Sequence, residues 1–152
     1  MGRKGNLQGT SKELQEVELK NAGWAVEFTI PFLPPSSNSL YGISTKGGVV
    51  RMFLSTEGRR FKENAKMFMP PRTFKVEEML RLDAIVTGKW FNKNNTIKHK
   101  DITNLEKILV DAIAEKYLEG RDEQFFERTI RKEHSMTQEQ VFARIYRGGF
   151  FS

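Results

Sequence analysis

Apolar and polar side chains alternate from residue 24 to residue 30. Trp24, Val26, Phe28 and Ile30 fall on one face, the pattern of a half-buried strand. Pro31 ends it, and Pro34-Pro35-Ser36-Ser37-Asn38-Ser39 forbids regular structure beyond. Gly47-Gly48 reads as a turn into a second strand, Val49 to Leu54. A helix is predicted from Ser55 to about Met69, with Ser55 as N-cap, Phe61, Ala65 and Phe68 as its apolar stripe, and Pro70-Pro71 as its stop. Leu80, Leu82, Ala84 and Val86 set a third strand within Leu80 to Trp90. The most regular helix follows, from Asn104 to about Leu118. Leu105, Ile108, Leu109, Ala112 and Ile113 keep helical spacing there, and Gly120 is a C-terminal stop. Strands near Gln124 to Lys132 and Val141 to Tyr146 complete the chain. The predicted order is β-β-α-β-α-β-β: one α+β domain, a mixed β-sheet packed by two main helices. Residues 1–23 are polar and read as a flexible arm, leaving 24–152 as the folded domain.

Composition narrows the partners. The 152 residues, 38% of them hydrophobic and including twelve Phe, suffice for a single core. A net charge of +6 favours an anionic partner, nucleic acid being the commonest. There is no cysteine, so disulfides, thiolate zinc and a Cys nucleophile are excluded. No apolar run approaches the ~18–20 residues of a membrane span. The start lacks the apolar stretch of a secretory signal, so a soluble, cytoplasmic protein is expected. Without a Walker A sequence, G-x-G-x-x-G or G-x-S-x-G, neither a nucleotide cofactor nor a serine triad has support.

The positive charge is clustered. Residues 51–75 hold seven cations against Glu57 and Glu63, and residues 89–100 add four lysines without an acid. Arg59, Arg60, Lys62 and Lys66 on the predicted helix, with Lys93, Lys98, His99 and Lys100 in the loop, are therefore the expected DNA-binding residues. A solvated helix face is the bland alternative. No zinc-finger, helix-turn-helix or RNP-type pattern is present, so the expected contact is to backbone and shape, not to base sequence.

Candidate chemistry lies between that loop and the following helix. Asp101 sits beside a helix N-terminus, which keeps a carboxylate ionised and suits a hard cation such as Mg²⁺. Asp122 follows the helix, and Lys107 lies one turn into it, where an ammonium can meet a phosphate. A purely structural reading is equally open: Thr103-Asn104-Leu105-Glu106 fits a capping box, and Lys107 with Asp111 an i,i+4 pair.

Four ordered stretches resemble the RusA family of Holliday-junction resolvases, often carried by phages and prophages. Ile30 to Tyr41 is similar to its strand ending in P-P-S-x-N, and Leu54 to Phe61 to its S-x-E-G-x-x-[YF] helix start. Lys100 to Lys107 with Asp111-Ala112-Ile113 is similar to R-D-x-D-N-x-x-K…D-A-L, and Gly120 to Phe125 is near D-D-x-Q-V. The resemblance implies a homodimer that binds four-way DNA junctions and cleaves them with Mg²⁺ (or Mn²⁺), in a bacterial or phage-infected cytoplasm. By position, Asp101 and Asp122 correspond to catalytic, metal-binding aspartates, and Lys107 to a catalytic or phosphate-contacting lysine. Thr103 stands where a further metal-binding aspartate belongs, and Arg121 replaces the first acid of the D-D pair. A second expectation is therefore a branched-DNA-binding dimer with weakened or absent cleavage. A third is a basic RNA- or protein-binding module.

Overall fold

Apolar residues at every second position of three strands give a sheet with one strongly apolar face, and that face organises the molecule. The computed structural model describes residues 23–35, 41–99 and 102–148. Its strands are β1 (Val26–Ile30), β2 (Tyr41–Ser44), β3 (Arg51–Leu54), β4 (Leu80–Gly88), β5 (Phe125–His134) and β6 (Gln140–Arg147). Its helices are α1 (Thr56–Lys66) and α2 (Ile102–Tyr117), and tight 3₁₀ turns occupy Lys46–Gly48 and Asp122–Gln124. The main sheet has the order β1-β6-β4-β5, while β2 and β3 form a separate two-stranded ribbon. β4 and β5 are parallel and joined through α2, whereas β6 runs antiparallel to both β1 and β4. The chain is thus one α+β domain with a mixed sheet, as its patterning predicts.

Val26, Phe28 and Ile30 of β1, Leu80, Leu82, Ala84 and Val86 of β4, and Val141, Ala143 and Ile145 of β6 are all buried. Leu105, Ile108, Leu109, Ala112 and Ile113 of α2 pack on them in one core, which Phe61 and Ala65 of α1 extend. α2 also buries Val110 and Ala114, so more than one stripe of it is covered. The helices pack on each other: Lys62 pairs with Glu115 in the last turn of α2, and the Pro70 carbonyl, just beyond α1, accepts from the Tyr117 hydroxyl at 2.6 Å.

Ser55 caps α1 as expected, its Oγ accepting from the Gly58 amide at 3.1 Å. Residues 67–69 continue only as tight turns, with Met69 N donating to the Lys66 carbonyl. Gly120 closes α2 with a φ of 85°, a left-handed conformation that glycine adopts without strain.

Three expectations are corrected. The order is β-β-β-α-β-α-β-β, because Tyr41–Ser44 is an extra short strand paired with β3. Helix α2 starts at Ile102, so Thr103 lies in its first turn and is not its N-cap. β5 extends through His134, placing that residue on a strand and Asp122 in the turn before it. The arm expected over residues 1–23 lies, but for Gly23, outside the described residues.

Candidate active site

The parallel β4–α2–β5 crossover brings residues distant in sequence to one place. Thr103, Glu106, Lys107, Val110 and Asp111 from α2, Asp122 from the following turn and Arg128 from β5 line a shallow cavity of about 310 Å³. The helix residues fall at i, i+3, i+4, i+7 and i+8, a single stripe of α2 facing the edge strand. Arg128 joins them by register. It lies opposite Leu82, and directly opposed residues share a sheet face, so its side chain is on the helix-packed side. There its Nε approaches Glu106 Oε1 at 3.4 Å.

Three expected site residues (Thr103, Lys107 and Asp122) are thus brought together. Asp101, and Lys100 among the expected DNA contacts, lie outside the described residues. Glu106, Asp111 and Arg128 join the cavity without having been singled out for chemistry. Asp111 had its signal in the sequence, spaced one turn from Lys107, but that spacing reads equally well as a surface pair.

Asp111 is the most perturbed acid here. Burial pushes its carboxyl above the usual range; Lys62 and Lys107 oppose this, and Asp122 and Glu115 add to it. The influence of Asp122 marks the two carboxylates as neighbours in one electrostatic field. Among the described residues, no three acidic or histidine side chains gather as a metal cage. Three carboxylates line the cavity; Glu106 is engaged by Arg128, and those of Asp111 and Asp122, with the hydroxyl of Thr103, suit a hard cation. Two carboxylates fit Mg²⁺, which usually keeps several waters and takes substrate phosphate as a further ligand.

Asp122 is held by a built turn. The buried Gln124 donates through Nε2 to the carbonyls of Lys75 and Glu78 at 3.0 and 3.1 Å, while its Oε1 accepts from Arg121 Nε at 3.0 Å. Arg121 also meets Glu119 at 3.4 Å. It braces the turn and does not line the cavity. Glu123 does not line the cavity either, and is exposed.

The cations of α1 divide. Lys62 and Lys66 both reach Glu115 of α2, Lys66 at 2.7 Å, which ties the helices together. Burial pushes the Glu115 carboxyl upward, but hydrogen bonds from both lysines outweigh it and hold the group below its ordinary value. Arg59 donates through Nε and Nη2 to the Leu54 carbonyl, each at 3.2 Å, and Arg60 is exposed.

The loop cations surround another concavity. Lys89, Lys93 and Lys98 line it with Phe91, Asn92, Asn95, Met136 and His134. The loop is closed by Asn92 N donating to Thr96 O at 2.7 Å and Lys98 N to Trp90 O at 2.8 Å. His134 fixes its base: Nδ1 accepts from the Trp90 amide at 3.2 Å, and its ring meets Phe91 edge-on at 4.8 Å. His99 is exposed and does not line this concavity.

No protein-family model matches the chain, and no curated protein matches it. Among solved structures, it is similar to a DegV lipid-binding protein from Thermotoga maritima, with 11% identity and a TM-score of 0.29. That alignment covers 93% of this chain but 50% of the other, so the chain spans about half the length of that structure. A likeness so distant carries no argument about fold or function.

Proposed function

We propose that this protein is a RusA-like, metal-dependent endodeoxyribonuclease acting on branched DNA. The observation that carries the reading is the convergence of Thr103, Lys107 and Asp122 in one cavity. Thr103 and Lys107 come from one motif and Asp122 from another, and the cavity adds a second cation, Arg128, and the carboxylates of Glu106 and Asp111. With Glu106 paired to Arg128, two cations beside the carboxylates of Asp111 and Asp122 suit a phosphodiester, whose charge needs neutralising while water is held for in-line attack.

Asp111 and Asp122, with Thr103, would hold Mg²⁺ or Mn²⁺. A bound divalent ion there supplies Lewis-acid stabilisation and lowers the pKa of water. Lys107 meets the scissile phosphate as a point charge, and Arg128 offers two parallel N–H donors to its oxygens. Glu106 keeps the Arg128 guanidinium turned into the cavity. Lys89, Lys93 and Lys98 contribute a second anionic contact for a duplex arm. Asp101 joins the ligand set in the family pattern.

The test is cleavage of a synthetic four-way junction with Mg²⁺ or Mn²⁺. The parent is expected to nick it, and Asp122→Asn to bind without nicking. No cutting by the parent, across several junction sequences and both metals, would reject the enzymatic form.

One observation favours a second reading, a branched-DNA-binding dimer without cleavage: Thr103 and Arg121 occupy family positions for acids. That reading expects salt-sensitive junction binding, and a gain of metal-dependent nicking in Thr103→Asp.

A further inference from the structure

Among the described residues, the ribbon of β2 and β3 is hydrogen-bonded within itself and to no strand of the main sheet. An isolated two-stranded hairpin is marginal in water. This one also leaves Ile43, Val49, Val50, Met52 and Phe53 exposed. Its register sets Gly42 opposite Phe53 and Ser44 opposite Arg51, so these four residues share one face. The Phe53 ring lies across Gly42, where an added Cβ would collide with two of the ring carbons. Gly42 is therefore the seat of the ring, and Phe53 remains 46% exposed. Arg51 is exposed two residues away on the same face.

Charge selects the occupant. Residues 41–54 contain Lys46 and Arg51 and neither Asp nor Glu. A second copy of the ribbon would bring like charges together. An open aromatic face beside arginine, without a carboxylate, instead matches an unpaired nucleobase and its phosphate. Placement agrees. Arg59 fastens the end of β3 to α1 through the Leu54 carbonyl. The ribbon therefore leads directly into α1, whose Lys62 and Lys66 meet Glu115 of α2.

We propose that the β2–β3 ribbon is an arm for unpaired bases of DNA. A base stacks on Phe53, and Arg51 and Lys46 hold the flanking phosphates. The identification of the branch point as the natural source of those bases rests on the proposed function; the stacking contact does not.

Two probes separate these claims: single-stranded oligothymidine, and a four-way junction carrying 2-aminopurine beside the branch. The full chain, Phe53→Leu, Phe53→Tyr and Arg51→Ala are compared, with circular dichroism to verify folding. The parent is expected to bind oligothymidine and to change 2-aminopurine fluorescence. Phe53→Leu should bind about tenfold more weakly and lose the fluorescence change, because leucine fills the Gly42 seat without a π-face. Phe53→Tyr should stay near the parent, and Arg51→Ala should flatten the salt dependence by about 0.7 in slope. Equal affinity and fluorescence for Phe53→Leu and the parent would overturn the arm. So would a parent that binds neither probe, or a Phe53→Leu change confined to oligomeric state in sedimentation. Binding through Phe53 without junction cleavage upholds the arm and removes the nuclease reading; cleavage indifferent to Phe53→Leu does the reverse.

Discussion

Arg128 on β5 and Glu106 on α2 meet across the gap between edge strand and helix, with Nε and Oε1 3.4 Å apart. Both side chains are partly exposed, so the pair adds little to stability, on the order of 0.5 kcal/mol. Its value is in aim. Arg128→Ala is expected to lower kcat/KM on a four-way junction by about 10- to 100-fold, the range of a lost charge-assisted hydrogen bond. Arg128→Lys should recover only part of it, because lysine lacks the paired donors. Steady-state cleavage with a urea melt of each variant checks this; a large melt shift with unchanged kcat/KM contradicts it.

Asp111 links the site to pH. Its folded pKa is raised, chiefly by burial, so the folded protein holds the proton more tightly than the unfolded chain does. Stability from this group therefore falls as pH rises through the window between the ordinary and raised values. Removing the charge should do no harm to the fold: Asp111→Asn is expected to match or slightly exceed the parent at pH 7, by less than about 1 kcal/mol. Cleavage should move the opposite way, rising in the parent as Asp111 ionises and absent in Asp111→Asn at every pH. Paired pH–rate and pH–melt profiles decide the point.

Glu115 carries the reverse sign. Its folded pKa is lowered because the hydrogen bonds from Lys62 and Lys66 outweigh burial. Its contribution is present above the unfolded pKa and is lost as pH falls through the folded one. Glu115→Gln should cost about 1 kcal/mol at neutral pH, discounted for the exposed carboxylate, and the two proteins should converge in strong acid. Urea unfolding at pH 7 and at pH 2 gives the comparison.

Gln124 is buried and serves two carbonyls and one guanidinium at once. Gln124→Leu keeps approximate volume but leaves those groups unpaired, at an expected cost of about 2–3 kcal/mol. Because the same side chain fixes the Asp122 turn, cleavage by the fraction that remains folded should fall as well. Thermal melts alongside active-site titration separate the two effects.

Much of this was legible in the chain. Alternation in β1 and β4 and the spacing of Leu105, Ile108, Leu109, Ala112 and Ile113 predict burial that the structure bears out. Ser55 likewise announces its cap. The ribbon strand Tyr41–Ser44 gives little signal because it is four residues long and contains glycine, too short to display an alternation. Arg128 was hidden for another reason. It is a charge in a strand whose neighbours are set by parallel register, and register across a crossover depends on distances that sequence spacing does not encode. Glu106 shows in the sequence only as half of a capping box, which the start of α2 at Ile102 overturns.

The parallel pairing of β4 with β5 has a kinetic consequence. Every residue lining the cavity lies within the crossover or in the strand that ends it. A chain emerging from the ribosome can form α2 and still have no cavity, because Arg128 has not arrived. Closure of that long, non-local loop is intrinsically slow. The binding centre should therefore be among the last parts of the molecule to mature, appearing together with the edge strand.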